Sequence, residues 1–96
     1  NRFWRARIGR AVERRSGHNL AVRLVNAEAD GLPGLIVDRY GDWLVIQSLT
    51  RGMETVKQSV VGALVEITKV RGVYERSDVG VREKEGLAPV TGVLYG

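Results

Sequence analysis

Two carboxylates two residues apart, Glu28 and Asp30, with a third at Asp38, are the side chains best placed to do chemistry. On extended backbone, positions i and i+2 lie on one side. Such a set could hold a divalent metal or divide acid and base roles. The surroundings argue against both. The single histidine, His18, falls in a loop with no evident partner, and no further ligand stands near in sequence to complete a metal shell. Asp30-Gly31 and Pro33-Gly34 are strong turn pairs, so the acidic residues are expected to brace turns. Gly31-Leu-Pro-Gly34 is no phosphate loop, because no Lys-Ser/Thr and no helix N-terminus follows it. G-x-G-x-x-G, G-x-S-x-G and H-E-x-x-H motifs are also missing. With no cysteine, these 96 residues contain no disulfide, no thiolate-held zinc and no cysteine nucleophile. Turn bracing is therefore the expected role of these carboxylates, with a metal or acid-base role as the alternative.

Charge is the second feature. The net charge is +4, and its distribution is uneven. Residues 1–15 carry six arginines against Glu13 alone, a local net of +5, while the remainder carries nine basic and ten acidic side chains. Trp4, Ile8, Ala11 and Val12 recur at i, i+4, i+7 and i+8, so Phe3 to Arg15 is expected to be helical with one apolar stripe, ending near Ser16-Gly17. Arg7, Arg10 and Arg14 line an adjoining ridge, flanked by Arg5 and Arg15. That ridge is either a solvated face or a row of phosphate contacts, since guanidinium matches phosphate bidentately. Arg76, Arg82 and Lys84 could extend an anion-binding surface, although Glu75, Asp78, Glu83 and Glu85 intervene.

The elements that must carry these residues follow from periodicity. Leu20–Val25 alternates as a strand. Leu35–Tyr40 and Asp42–Leu49 form a hairpin about Gly41-Asp42, apolar enough on both faces to lie inside a sheet. Met53–Lys69 is a helix with Val56, Val60, Ala63, Leu64 and Ile67 on one stripe. Gly72–Arg76 and Val90–Leu94 read as strands, with a charged loop over Ser77–Gly86 between them. The order α-β-β-β-α-β-β predicts one α+β domain over residues 1–96, a mostly antiparallel sheet with two packed helices, led by the basic segment 1–17. At 44% hydrophobic and 27% charged the composition is that of an ordinary globular domain, and no apolar run approaches the roughly 18–20 residues of a membrane helix. No membrane partner is expected, and the location expected is cytoplasmic.

The string RLVNAEADGLPGLIVDRYGDWLVIQ resembles the middle segment of S-adenosylmethionine-dependent ribosomal RNA large-subunit methyltransferases, the 5-methylcytosine type with PUA, central and Rossmann-like parts. The resemblance continues through GVYERSD (72–78) and VREKEGL (81–87), and FWRARIGRAVERR resembles the helix after the PUA domain. It implies that the sequence is the central domain of a longer enzyme, next to PUA and methyltransferase domains, with S-adenosylmethionine bound outside these residues. Glu28, Asp30, Pro33, Gly34 and Asp38 match the family motif and are expected to be architectural. The expected function is to hold and position RNA, with large-subunit rRNA as the partner the resemblance implies. The alternative is a structural module joining its two neighbours without touching RNA. A metal or acid-base site at Glu28, Asp30 and Asp38 is a third reading.

Overall fold

A computed structural model describes residues 6–10 and 21–96. Residues 6–10 are helical (α1). Five strands follow: β1 Ala21–Asn26, β2 Leu35–Tyr40, β3 Trp43–Ser48, β4 Gly72–Ser77 and β5 Val90–Tyr95. A 3-10 turn covers Ala27–Asp30, helix α2 covers Arg51–Thr68, and a short helix α3 covers Val81–Lys84. The strands form one sheet in the order β1-β2-β3-β4-β5. Three of the four pairings are antiparallel, and β3 and β4 are parallel. The expected α+β class with a mostly antiparallel sheet is therefore present. The parallel pair is what periodicity did not show. It arises because an 18-residue helix connects neighbouring strands, a connection that returns the chain in the same direction.

The β2–β3 hairpin closes at Gly41-Asp42, with Tyr40 paired to Trp43. Gly41 has φ +60° and Asp42 does not take a positive φ, the φ signs of a type II′ turn that matches strand twist. Helix α2 begins at Arg51, two residues before the apolar stripe suggests, because the Thr50 hydroxyl caps it by accepting from the Met53 N–H at 3.1 Å. It ends at Lys69, a left-handed residue whose N–H bonds to the Val65 carbonyl.

The core lies between α2 and one face of the sheet. Val60, Val61, Ala63 and Leu64 meet Leu35, Val37, Leu44, Ile46 and Val73, all buried. Val56 and Ile67 pack at its margin. Each buried Val, Leu or Ile contributes about 1.5–3 kcal/mol by area removed from water. Ile8 of α1, on the expected apolar stripe, is fully buried in the same cluster. The expected helix end at Ser16-Gly17, His18, Leu20, and the arginines Arg5, Arg14 and Arg15 lie outside the described residues. No helix among the described residues is long and apolar enough to cross a membrane.

Segment 77–86, expected as a solvated loop, instead contains α3 and is pinned from within. Arg82 is 2% exposed. Its Nη1 donates to the Ser48 carbonyl at 2.6 Å and to Glu54 Oε2 at 3.2 Å, and its Nη2 and Nε donate to the Ala88 carbonyl at 2.6 and 3.1 Å.

Candidate nucleic-acid interface

Among the described residues no element covers the sheet face opposite α2. Register decides what stands there. In β2, Leu35 and Val37 turn to the core, so Ile36, Asp38 and Tyr40 take the open face. Their partners Gln47, Val45 and Trp43 join them. Across the parallel pair, Val45 aligns with Tyr74 and Trp43 with Gly72, where the indole lies flat against the glycine backbone and a side chain would collide with it. Arg76 follows on the same side of β4, opposite Thr91, and Val93 pairs with Tyr74. Arg23 pairs with Asp38 from β1. An apolar-and-aromatic strip with polar and cationic flanks thus runs across β1–β5. Tyr40 is 53% exposed, Trp43 38% and Val93 58%.

Arg23 grips Asp38 through two bonds, Nε to Oδ1 at 2.7 Å and Nη2 to Oδ2 at 3.1 Å. The Asp38 hydrogen bond, opposed by partial burial and aided by the charges of Asp38 and Tyr40, raises the Arg23 pKa further above its high ordinary value. Arg76, by contrast, is 63% exposed, and its ion pair among the described residues is with Asp78, at a long 3.5 Å. Between these two arginines a depression of about 420 Å³ is lined by Asp38, Tyr40, Val45, Gln47, Arg76, Asp78 and Val79. A second, of about 260 Å³, is lined by Val22, Arg23, Asp38 and Tyr40. Tyr40 and Asp38 line both, so the two shallow depressions adjoin.

The cationic candidates do not gather in one place. Arg10 is exposed on α1 and Lys84 is exposed on α3. Arg7 is half-buried, its guanidinium over Gly31 of the acidic loop. Arg82 is corrected from an anion-binding candidate to an internal brace, because burial and its carbonyl and carboxylate partners occupy the guanidinium. The motif residues also separate. Asp30 is 7% exposed and accepts from the Asn26 N–H at 2.7 Å. Glu28 lies in the 3-10 turn and Pro33 is exposed. Gly34 has φ +82° and sits against the Thr50 side chain that caps α2, leaving no space for a Cβ. Asp38 lines the two depressions instead. Asp30 and Asp38 thus serve different partners, and no group of three metal-binding side chains forms among the described residues.

Beneath the sheet, at the C-terminal ends of β3 and β4, lies a buried polar cluster. The Lys57 ammonium donates to Glu75 Oε1 and Oε2 at 3.0 and 3.2 Å and to Glu54 Oε1 at 3.2 Å. Glu75 is fully buried and also accepts from the Ser77 hydroxyl at 2.6 Å, which in turn accepts from the Ser48 N–H at 2.9 Å. Burial would push the Glu54 carboxyl up. The Ser48 hydroxyl, set against it without a hydrogen bond of good geometry, together with Lys57 and Arg82, outweighs burial and holds its pKa below the usual range.

Sequence reasoning passed over Tyr40, Val45, Gln47 and Arg23 as site residues. The signal was present in the alternation Asp38-x-Tyr40 and Trp43-x-Val45-x-Gln47, masked by the apolar character of the whole hairpin.

The chain is 54% identical over 74 residues to ribosomal RNA large subunit methyltransferase I of Vibrio vulnificus (strain YJ016), covering 77% of this chain and 19% of that protein. It is 46% identical over 99 residues to the enzyme of the same name from Pseudoalteromonas translucida (strain TAC 125), covering 98% and 25%. The chain therefore spans about a fifth to a quarter of the length of these curated relatives. No family model matches it. Its fold is that of part of a Streptococcus mutans protein assigned as a SAM-dependent methyltransferase, with TM-score 0.80 at 22% identity over 99% of this chain and 24% of that one. A second structure, assigned as a methyltransferase and solved with SAH, gives TM-score 0.79 at 21% identity, again over 99% and 24%.

Proposed function

We propose that this chain is the RNA-holding domain of an S-adenosylmethionine-dependent ribosomal RNA methyltransferase, which positions large-subunit rRNA while methyl transfer takes place in another part of the longer protein. The observation that carries this reading is the sheet face left open opposite α2 among the described residues, with Tyr40 and Trp43 exposed on it and Arg23 and Arg76 beside its two depressions, in a chain about half identical to segments of enzymes named for rRNA methylation. Such a domain works in the cytoplasm alongside the ribosome.

The described residues do not fit S-adenosylmethionine. A nucleotide-type cofactor sits where a parallel strand passes into a helix through a glycine-rich turn. Here β3 passes to α2 through Leu49-Thr50 with no glycine-rich turn, and Ser48, Lys57, Glu75, Ser77 and Arg82 near these strand ends are hydrogen-bonded within the fold. Catalysis is therefore not assigned to these residues.

Binding of an rRNA fragment measured over rising salt tests the proposal. Affinity should fall steeply, and Arg10→Ala and Arg76→Ala should each lower the log–log salt slope by about 1. Absent or salt-independent binding refutes it. The second reading, a structural module between two domains, draws support from Arg7 and Arg82, which face their own fold. On that reading the chain captures the separated remainder of its longer protein and no RNA.

A further inference from the structure

We propose that the depression between Tyr40 and Arg76 is a pocket for a single unpaired nucleobase bearing an exocyclic amino group. This rests on the RNA-holding reading and names the part of the RNA that the open face takes.

The lining is suited to a flat, amphipathic ring. Val45 supplies an apolar floor and Tyr40 an exposed aromatic face for stacking, which accepts any base. The rim then selects. Asp38 and Asp78 offer only acceptors, and Gln47 offers both a donor and an acceptor. Asp38 accepts from Arg23 with both oxygens, and each oxygen keeps a further lone pair. An edge rich in N–H groups, as in cytosine, adenine or guanine, suits such a rim better than the two carbonyls of uracil. The same carboxylates repel a phosphodiester, so the backbone belongs outside the pocket, at Arg76, whose weak contact with Asp78 leaves it available. A duplex keeps its base edges paired and cannot enter a depression this size, whereas a single strand can turn a base inward. The second depression, on the Arg23 side of Tyr40, takes the neighbouring nucleotide. A protein surface is the poorer fit, because two carboxylates, two arginines and a glutamine would all need partners on desolvation.

The test uses labelled RNA decamers of one base each. Wild-type protein should bind oligo(rC) and oligo(rA) several-fold tighter than oligo(rU). Tyr40→Ala should weaken oligo(rC) and oligo(rA) about tenfold, and Tyr40→Phe should stay within about twofold. Gln47→Ala should narrow the preference over oligo(rU). Ultraviolet cross-links should map to Tyr40 or its β2–β3 neighbours. If the decamers and an rRNA fragment bind with a steep salt dependence but Tyr40→Ala changes nothing, the pocket is refuted and the RNA-holding reading stands. If neither binds, both fall. Chemical nitration of the full-length protein distinguishes another occupant: Tyr40 shielded without RNA means a neighbouring domain or second copy covers the face, and the pocket is refuted.

Discussion

Lys57→Met tests whether the cluster under β3 and β4 is held by charge. The ammonium is 14% exposed, and it is the one cation within bonding distance of Glu75 among the described contacts, at 3.0 and 3.2 Å. Methionine keeps the aliphatic stem and removes the charge. Glu75, fully buried, is then left with only the Ser77 hydroxyl at 2.6 Å. Removing one partner of a buried pair costs about 3–5 kcal/mol, mostly from the stranded charge. Glu54, partly exposed and also held by Arg82, loses little. The lower end, about 3 kcal/mol, is therefore expected. For a domain of this size that lowers the melting temperature by roughly 12–24 °C. Lys57→Met/Glu75→Gln retains an acceptor for Ser77 without a charge, so the double variant should recover about half of the loss or more. Urea unfolding of both single variants and the double completes the cycle. A loss below about 1 kcal/mol for Lys57→Met, or a double variant no better than the single, refutes the reasoning.

Arg82→Ala should destabilise by about 2–4 kcal/mol and expose segment 79–88 to hydrogen exchange, because the carbonyls of Ser48 and Ala88 lose their donors. Rescue by Arg82→Lys should be partial, since an ammonium cannot span both carbonyls and Glu54 as the planar fork does. Gly34→Ala should cost about 2 kcal/mol or more in thermal melts, combining a left-handed backbone with a collision at the Thr50 cap. Glu54 gives a pH signature. Its folded pKa lies below its unfolded one, so its contribution is present above the ordinary carboxylate range and is lost as pH falls through the folded value. Stability should therefore decline more steeply in wild type than in Glu54→Gln as pH drops from about 5 toward 3, measured by urea midpoints.

The elements with strong local signals were legible in the sequence. The Gly41-Asp42 turn fixes its hairpin through one backbone preference, and the stripe on α2 meets the sheet as its spacing implies. Ile8 is buried as its place on the stripe of the leading segment requires. What sequence could not show depends on distant neighbours. Arg82 sits in a run that looks solvated, and the carbonyls of Ser48 and Ala88 with the carboxylate of Glu54, far and near in sequence, draw it inside. Lys57 and Glu75 are 18 residues apart and meet because the crossover lays α2 over β4. The open face is not legible in the sequence because its few aromatics are spread along the chain, and strand register brings Tyr40, Trp43 and Tyr74 to one side.

The lone parallel junction carries a kinetic corollary. β1, β2 and β3 are joined by short connections, whereas the β3–β4 pairing must close a loop that contains the whole of α2. Closure of that seam belongs late on the pathway. Perturbing the ions stitched beneath it should hasten unfolding while leaving the refolding rate nearly untouched.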